Sequence, residues 1–130
     1  MFIPESDDIN KLSEKIIGCA YQVGNGLGSG FLEKVHENAL VYELRKAGLR
    51  VYQQHPIDIF YDGIRIGEYF ADLLVEGKII IELKTVRKID QIHLAQCMNY
   101  LRATGLHLCL LINFYSPKIE IRRVVLGLKE

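Results

Sequence analysis

Cysteine is scarce and unpatterned: Cys19, Cys97 and Cys109 include no C-x-x-C. That excludes a disulfide-stapled scaffold and argues against a zinc ribbon or finger. Proline is equally rare, and Pro4, Pro56 and Pro117 all lie outside the long periodic stretches. No apolar run approaches the roughly 18–20 residues needed to span a bilayer. The start, MFIPESDDIN, has neither the basic nor the apolar region of a secretory signal. A soluble, reducing, cytoplasmic setting is the expectation, with no membrane partner. Repeats and low-complexity segments are also missing. So is net charge: 16 Lys+Arg stand against 16 Asp+Glu, which offers no global basic field to draw in nucleic acid.

What is present is 130 residues, 49% of them apolar, enough for one domain over 1–130 that buries its own core. Ile9, Leu12, Ile16, Ile17, Ala20 and Val23 recur at helical spacing, with Asp7 or Asp8 as N-cap. The glycine-rich stretch 24–30 should end that helix. A second helix opens near Gly30, carries Leu32, Val35, Ala39, Leu40 and Leu44, and stops at Gly48. The pattern then turns to strands: 51–60, with Pro56 marking an edge or bulged strand, then 64–75 after a Tyr61-Asp62-Gly63 turn. A third strand, 78–84, follows Glu76-Gly77, and its Ile79-Ile80-Ile81 run suggests burial on both faces. Asp90 caps a third helix that runs to Gly105, and strands 107–114 and 118–126 close the chain. The order α-α-β-β-β-α-β-β predicts an α/β fold, a mixed sheet flanked by helices.

Chemistry concentrates between Ala71 and Lys84. Glu82 and Lys84 are two apart on a strand and so point to one face. Alone, an E-x-K pair is the ordinary composition of a salt-bridged or solvated strand end. Whether Asp72 joins them depends on register. A two-residue turn at Glu76-Gly77 pairs Val75 with Lys78 and sends Asp72 and Glu82 to opposite faces. A three-residue loop with Gly77 left-handed pairs Leu74 with Lys78 and puts both acids on one face, as does a β-bulge. One of the latter two is expected. Two carboxylates and a lysine converging at a sheet end suit a hard cation, Mg²⁺ or Mn²⁺, with the lysine orienting water or stabilising charge on a phosphate.

Asp72 and Glu82-Leu83-Lys84 after a hairpin, followed by a helix, resemble the core of the PD-(D/E)XK nuclease superfamily. Gln96-Cys97-Met98-Asn99-Tyr100 resembles the Q-x-x-x-Y signature of its exonuclease-like branches. Gly30-Phe31-Leu32-Glu33-Lys34-Val35-His36 looks like the motif of the bacterial and archaeal GxxExxY family, a likeness that runs from about Ile9 to Val125. The resemblance implies a restriction-endonuclease-like αβββαβ core with an extra N-terminal helix. It also implies metal-dependent hydrolysis of nucleic acid, with DNA favoured over RNA. By that resemblance Asp72 and Glu82 are metal ligands, Lys84 is the catalytic lysine, and Glu33 is a helix-borne acid assisting the metal. Gln96 and Tyr100, at i and i+4 on one helix face that His93 can share, would line the site or touch substrate. Two positions depart from the pattern: His36 stands where the family has tyrosine, and Ala71 replaces the proline of "PD".

Each residue also has a structural reading. Glu33 could be a capping-box acid if the helix begins at Gly30. Gln96 and Tyr100 could be a polar helix edge and a core aromatic. The 24–30 stretch fits neither G-x-G-x-x-G nor a P-loop and follows a helix, so it reads as an interhelical loop. His55 and His107 lack ligand partners at metal spacing, and the three cysteines read as small core residues. Arg122 and Arg123 point opposite ways, so at most one faces a given groove. Two other functions remain open: a catalytically silent fold that binds nucleic acid or a partner protein, and a phosphohydrolase of smaller substrates. Self-association or a partner protein would then supply substrate choice. The neutral total conceals an asymmetry, since residues 84–123 hold 7 bases and 2 acids. Glu33, Asp72 and Glu82 are themselves three of the acids, so the expected grip on nucleic acid is weak and metal-dependent.

Overall fold

The computed structural model describes residues 6–128. Helices α1 (Ser6–Leu27) and α2 (Glu33–Lys46) precede strands β1 (Val51–Tyr61), β2 (Ile64–Val75) and β3 (Ile79–Lys84). Helix α3 (Gln91–Thr104) leads into β4 (Leu108–Asn113) and β5 (Glu120–Val125). The strands form one sheet in the order β1-β2-β3-β4-β5. Only β3 and β4 run parallel, because α3 carries the chain back across the sheet between them while the other neighbours are joined by turns or a short loop. The expected mixed sheet of a restriction-endonuclease-like α/β fold is therefore present.

Burial explains the composition of the central strands. Ile79, Ile81 and Leu83 pack with Leu110 and Ile112 against Ile16, Ala20, Leu40 and Leu44 of α1 and α2. On the opposite face Ile80, Cys109 and Leu111 meet Cys97, Tyr100 and Leu101 of α3. The Ile79-Ile80-Ile81 run is thus buried on both sides, and Pro56 sits in the edge strand β1.

Three local expectations need correction. Helix α1 continues past Gly24 to Leu27. A Cβ at Gly24 would lie 2.9 Å from Ile119 Cγ2, so close packing requires glycine there. Burial of Val23 and the packing of Leu27 on the core outweigh the roughly 1 kcal/mol propensity cost of a helical glycine. Asp7 and Asp8, expected at its N-cap, both lie within the Ser6–Leu27 span of α1. Helix α2 begins at Glu33, with Leu32 as an N-cap that makes no side-chain bond. It ends as a Schellman motif, Leu49 N–H donating to Leu44 O and Gly48 N–H to Arg45 O.

The third correction concerns register. The β2–β3 loop has three residues with Gly77 left-handed, as expected, but it is Glu76-Gly77-Lys78, one residue later, so Val75 pairs with Ile79. Glu76 and Gly77 both have positive φ, 55° and 65°. Glu76 tolerates this because its carboxylate accepts from the Arg50 backbone N–H at 2.6 Å.

The paired strands β1 and β2 also change face midway. Strict alternation would put Ala71 with Leu73, and Val51 with Ile57, yet each pair is split between the two cores. The reversal lies at Gln54 and Asp72, between the Gln53–Leu73 and His55–Ala71 pairs. Gln54 has φ 53°, a conformation that costs a side chain of its size on the order of 1 kcal/mol. Beyond this point the hairpin leaves the sheet and leans over α3, with Ile57 packed in the α3-side core.

Candidate active site

The β2–β3 ladder covers only Leu73–Ile81, Leu74–Ile80 and Val75–Ile79. Past it the backbone amides need other acceptors, and two acids supply them. The Asp72 N–H donates to Glu82 Oε1 at 2.9 Å, and the Leu83 N–H donates to Asp72 Oδ2 at 2.8 Å. Each carboxylate is thus held by the other's strand. Lys84 follows on the same face of β3 as Glu82, partly buried.

Helix α2 contributes from the other side. Glu33 opens the helix at its first position, where an acid suits the dipole, and not at the third, so the capping-box reading does not apply. One turn on, Glu37 is buried and accepts from Lys34 Nζ at 2.8 Å, Gln53 Nε2 at 2.6 Å and Gln54 Nε2 at 3.1 Å. The same Gln54 amide reaches Asp72 Oδ1 at 3.3 Å, linking α2 to the two-acid centre. Neither Glu37 nor Gln54 was expected from the sequence. Two acids at i and i+4 repel on a bare helix, and that was the available signal for Glu37. Nothing in the sequence announces the left-handed backbone that aims Gln54.

From α3, Gln96 Nε2 donates to the Tyr100 hydroxyl at 2.9 Å. His93 is committed to the helix start: its Nδ1 accepts from the Asp90 N–H at 3.0 Å, completing a capping box. Asn113, opposite Lys84 in register, accepts from Val86 N–H and donates to Val86 O at 2.7 Å. It clamps the segment leaving Lys84, another contribution not foreseen.

His36, at the tyrosine position, is fully buried. Its Nε2 lies 2.8 Å from Gly28 O, so that nitrogen carries the proton, because a carbonyl only accepts. The ring stacks on Phe114 at 4.7 Å. The imidazole therefore pins the interhelical loop to the end of β4. Arg123 binds Ser13 and Asn10 of α1, while Arg122 pairs with Glu120. His107 bonds Leu126 O, and the three cysteines are buried and free.

The acids carry unfavourable electrostatics. Burial, then the charge of Asp72, pushes Glu82 up to about 9. Asp72 is raised by burial and by Glu37, against the pull of the Leu83 N–H, Gln54 and Lys84. Glu33 is raised by burial and then by Asp72. Tyr100 is raised by burial and by the negative charges of Glu82 and Asp72, so its phenol stays a hydrogen-bond donor. Lys84 lowers all three acids without reversing the balance.

Those residues fit a divalent cation by donor chemistry: hard oxygen ligands, mutually repelling, in a place where added positive charge would invert the pKa pattern. Among the described residues no three His, Cys, Asp or Glu side chains already stand close enough to enclose an ion. Asp72 and Glu82 spend one oxygen each on a backbone amide, and Glu33 feels both Asp72 and Lys84.

A family model described as the PD-(D/E)XK nuclease superfamily matches residues 10–124. No curated protein matches the sequence. Among solved structures, one described as the crystal structure of SSO0001 is similar, with a TM-score of 0.54 and 19% identity, over 74% of this chain and 50% of that one. At that identity the likeness concerns the fold alone, and the present chain spans half the length of that protein. No helix among the described residues is long and apolar enough to cross a membrane.

Proposed function

The chain belongs to the PD-(D/E)XK nuclease superfamily, and from that premise we propose that it is a divalent-metal-dependent nuclease hydrolysing phosphodiester bonds, with DNA as the first substrate to test. The observation that carries this reading is the reciprocal Asp72–Glu82 arrangement at the open end of the β2–β3 ladder, with Lys84 on the same face. Within the superfamily, residues 30–36 and the position of Glu33 support the GxxExxY family as the narrower assignment, His36 replacing its tyrosine. Residues 1–130 are taken as one nuclease domain.

Asp72 and Glu82, assisted by Glu33, would hold Mg²⁺ or Mn²⁺, which when bound supplies charge to offset the anionic phosphorus centre and to acidify water. Lys84 orients that water and holds a positive charge beside the phosphate. Gln96 keeps the Tyr100 phenol in place to donate to a substrate oxygen. Arg87 and Lys88 follow Lys84 closely and enter no ion pair among the described residues, which suits them to the phosphate backbone.

The test is a cleavage screen with Mg²⁺ or Mn²⁺ over single-stranded, duplex and branched DNA and RNA. Cleavage that falls by about a hundredfold or more in Lys84→Ala and Asp72→Ala is expected. Cleavage that survives both substitutions, or no cleavage at all, sinks the reading. Nucleic-acid binding without metal binding would instead identify a silent nuclease fold.

A further inference from the structure

Beside the acids, the hairpin that leans over α3 leaves an open trough between the two elements. Its nearer part, about 420 Å³, is lined by Gln96, Tyr100 and Tyr69. Its farther part, about 450 Å³, shares Tyr69 and Asn99 with the first and adds Phe60 and Arg102. Each part has a volume suited to a small organic ligand. The trough is continuous with the candidate active site, because Tyr100 belongs to both. Tyr69 lies 5.9 Å from the Tyr100 ring and is 50% exposed, and Phe60 is 62% exposed.

Exposed aromatic faces beside a polar groove need an explanation, since isolated apolar side chains on a surface do not line up along one trough. The charges narrow the choice. Asp58, the acid of this trough, is occupied by Arg65 at 2.8 Å. Arg102 enters no ion pair among the described residues and makes one long bond to Asn99, 3.4 Å. An anionic ligand with flat apolar faces fits aromatic walls plus a free guanidinium.

We propose that this trough holds unpaired nucleotides of the substrate, bases stacked on Tyr69 and Phe60 and a phosphate at Arg102, so that the enzyme prefers single strands or single-stranded tails over continuous duplex. The proposal rests on the nuclease reading for its link to cleavage but not for its binding. A duplex hides base faces inside its stack, whereas an unpaired strand presents them, and stacking tolerates any base. From Gln96 to Ala103 the helix advances about 10 Å, which at 3.4 Å per stacked base spans roughly three nucleotides. Asn99 and Gln96 offer amides along that path.

The experiment measures anisotropy of a labelled oligonucleotide with the full chain, on duplexes carrying single-stranded tails of zero to six nucleotides, and cleavage of the same substrates with Mg²⁺. Affinity should rise with tail length and level off near three nucleotides. Tyr69→Leu and Phe60→Leu should each lose about tenfold in tail affinity and leave duplex binding unchanged. Tyr69→Trp should retain tail affinity, which a merely structural residue would not predict, and melting curves confirm that each variant folds. Tail-independent binding, or leucine variants equal to the parent, overturns the proposal even if cleavage proceeds. Tail-dependent binding with no cleavage keeps the trough and removes the nuclease reading. Absence of oligonucleotide binding, with a dimer that the leucine variants dissociate, overturns it in favour of self-association.

Discussion

Glu82 shows how one residue can be wrong for folding and right for a site. Its carboxyl is buried, faces Asp72, and is pushed up to about 9. In the metal-free folded chain it therefore keeps its proton at neutral pH, while in the unfolded chain it ionises near the usual 4.5. Between those values the folded state binds the extra proton, so stability falls as pH rises. The stabilisation is complete below about pH 4.5 and is lost as pH climbs to about 9, with a limiting slope of about 1.4 kcal/mol per pH unit. Melting in chelator from pH 5 to 9 should thus show a decline that Glu82→Gln flattens. Parallel profiles for the two proteins would disprove the assignment. Saturating Mg²⁺ should flatten the parent's profile too, because a bound cation favours the ionised acid. Glu82 and Lys84 were legible as a pair because their spacing on β3 is covalent, whereas Asp72 could join them only through the register of the β2–β3 hairpin. Glu37 and Gln54 were not, because what brings them to Asp72 is a backbone reversal at Gln54 that no side-chain pattern encodes.

Among the elements, helix α1 carries the clearest conflict between local and tertiary preference. Propensity stops it at Gly24, and the periodicity of Ile9 to Val23 is silent on the glycine-rich residues after it. Packing decides, through a 2.9 Å approach that only glycine allows and through Leu27 on the core. Gly26, in the same turn, has open space around its missing side chain and no positive φ. The two glycines should therefore respond in opposite directions. Gly24→Ala is expected to destabilise by about 1–3 kcal/mol, by overpacking against Ile119. Gly26→Ala should stabilise by about 0.5–1 kcal/mol, by restricting the unfolded chain and favouring helix. Urea midpoints for the two variants settle the matter, and a Gly24→Ala protein as stable as its parent refutes the packing argument. Element order and the mixed character of the sheet were readable from alternation and the crossover helix. The loop at Glu76-Gly77-Lys78 was off by one residue because its placement depends on the Glu76–Arg50 contact, a long-range term.

At the scale of the whole molecule, neutrality is a matter of where the charges lie. Residues 84–123 hold 7 bases and 2 acids. Of those bases Arg123 is spent on α1 and Arg122 on Glu120. Lys84, Arg87, Lys88, Arg102 and Lys118 remain free of ion pairs among the described residues. The acids that oppose a polyanion most directly are those of the site, and Glu82 is already neutral near pH 7 without metal. The repulsion therefore comes mainly from Asp72 and Glu33. Five free cations in this segment limit the grip: for single strands, log affinity should fall with log salt at a slope of about −3.5 or shallower. In chelator, Asp72→Asn with Glu33→Gln should bind a single-stranded oligonucleotide roughly fivefold tighter than the parent, about 1 kcal/mol for charge repulsion removed near water. Glu82→Gln alone should change affinity little under the same conditions. Adding Mg²⁺ should tighten the parent and leave the double variant unmoved, because the charge being neutralised is the one already removed. If instead the double variant binds no better in chelator, or Mg²⁺ tightens both proteins equally, the site acids are not what restrains a neutral protein from its anionic substrate.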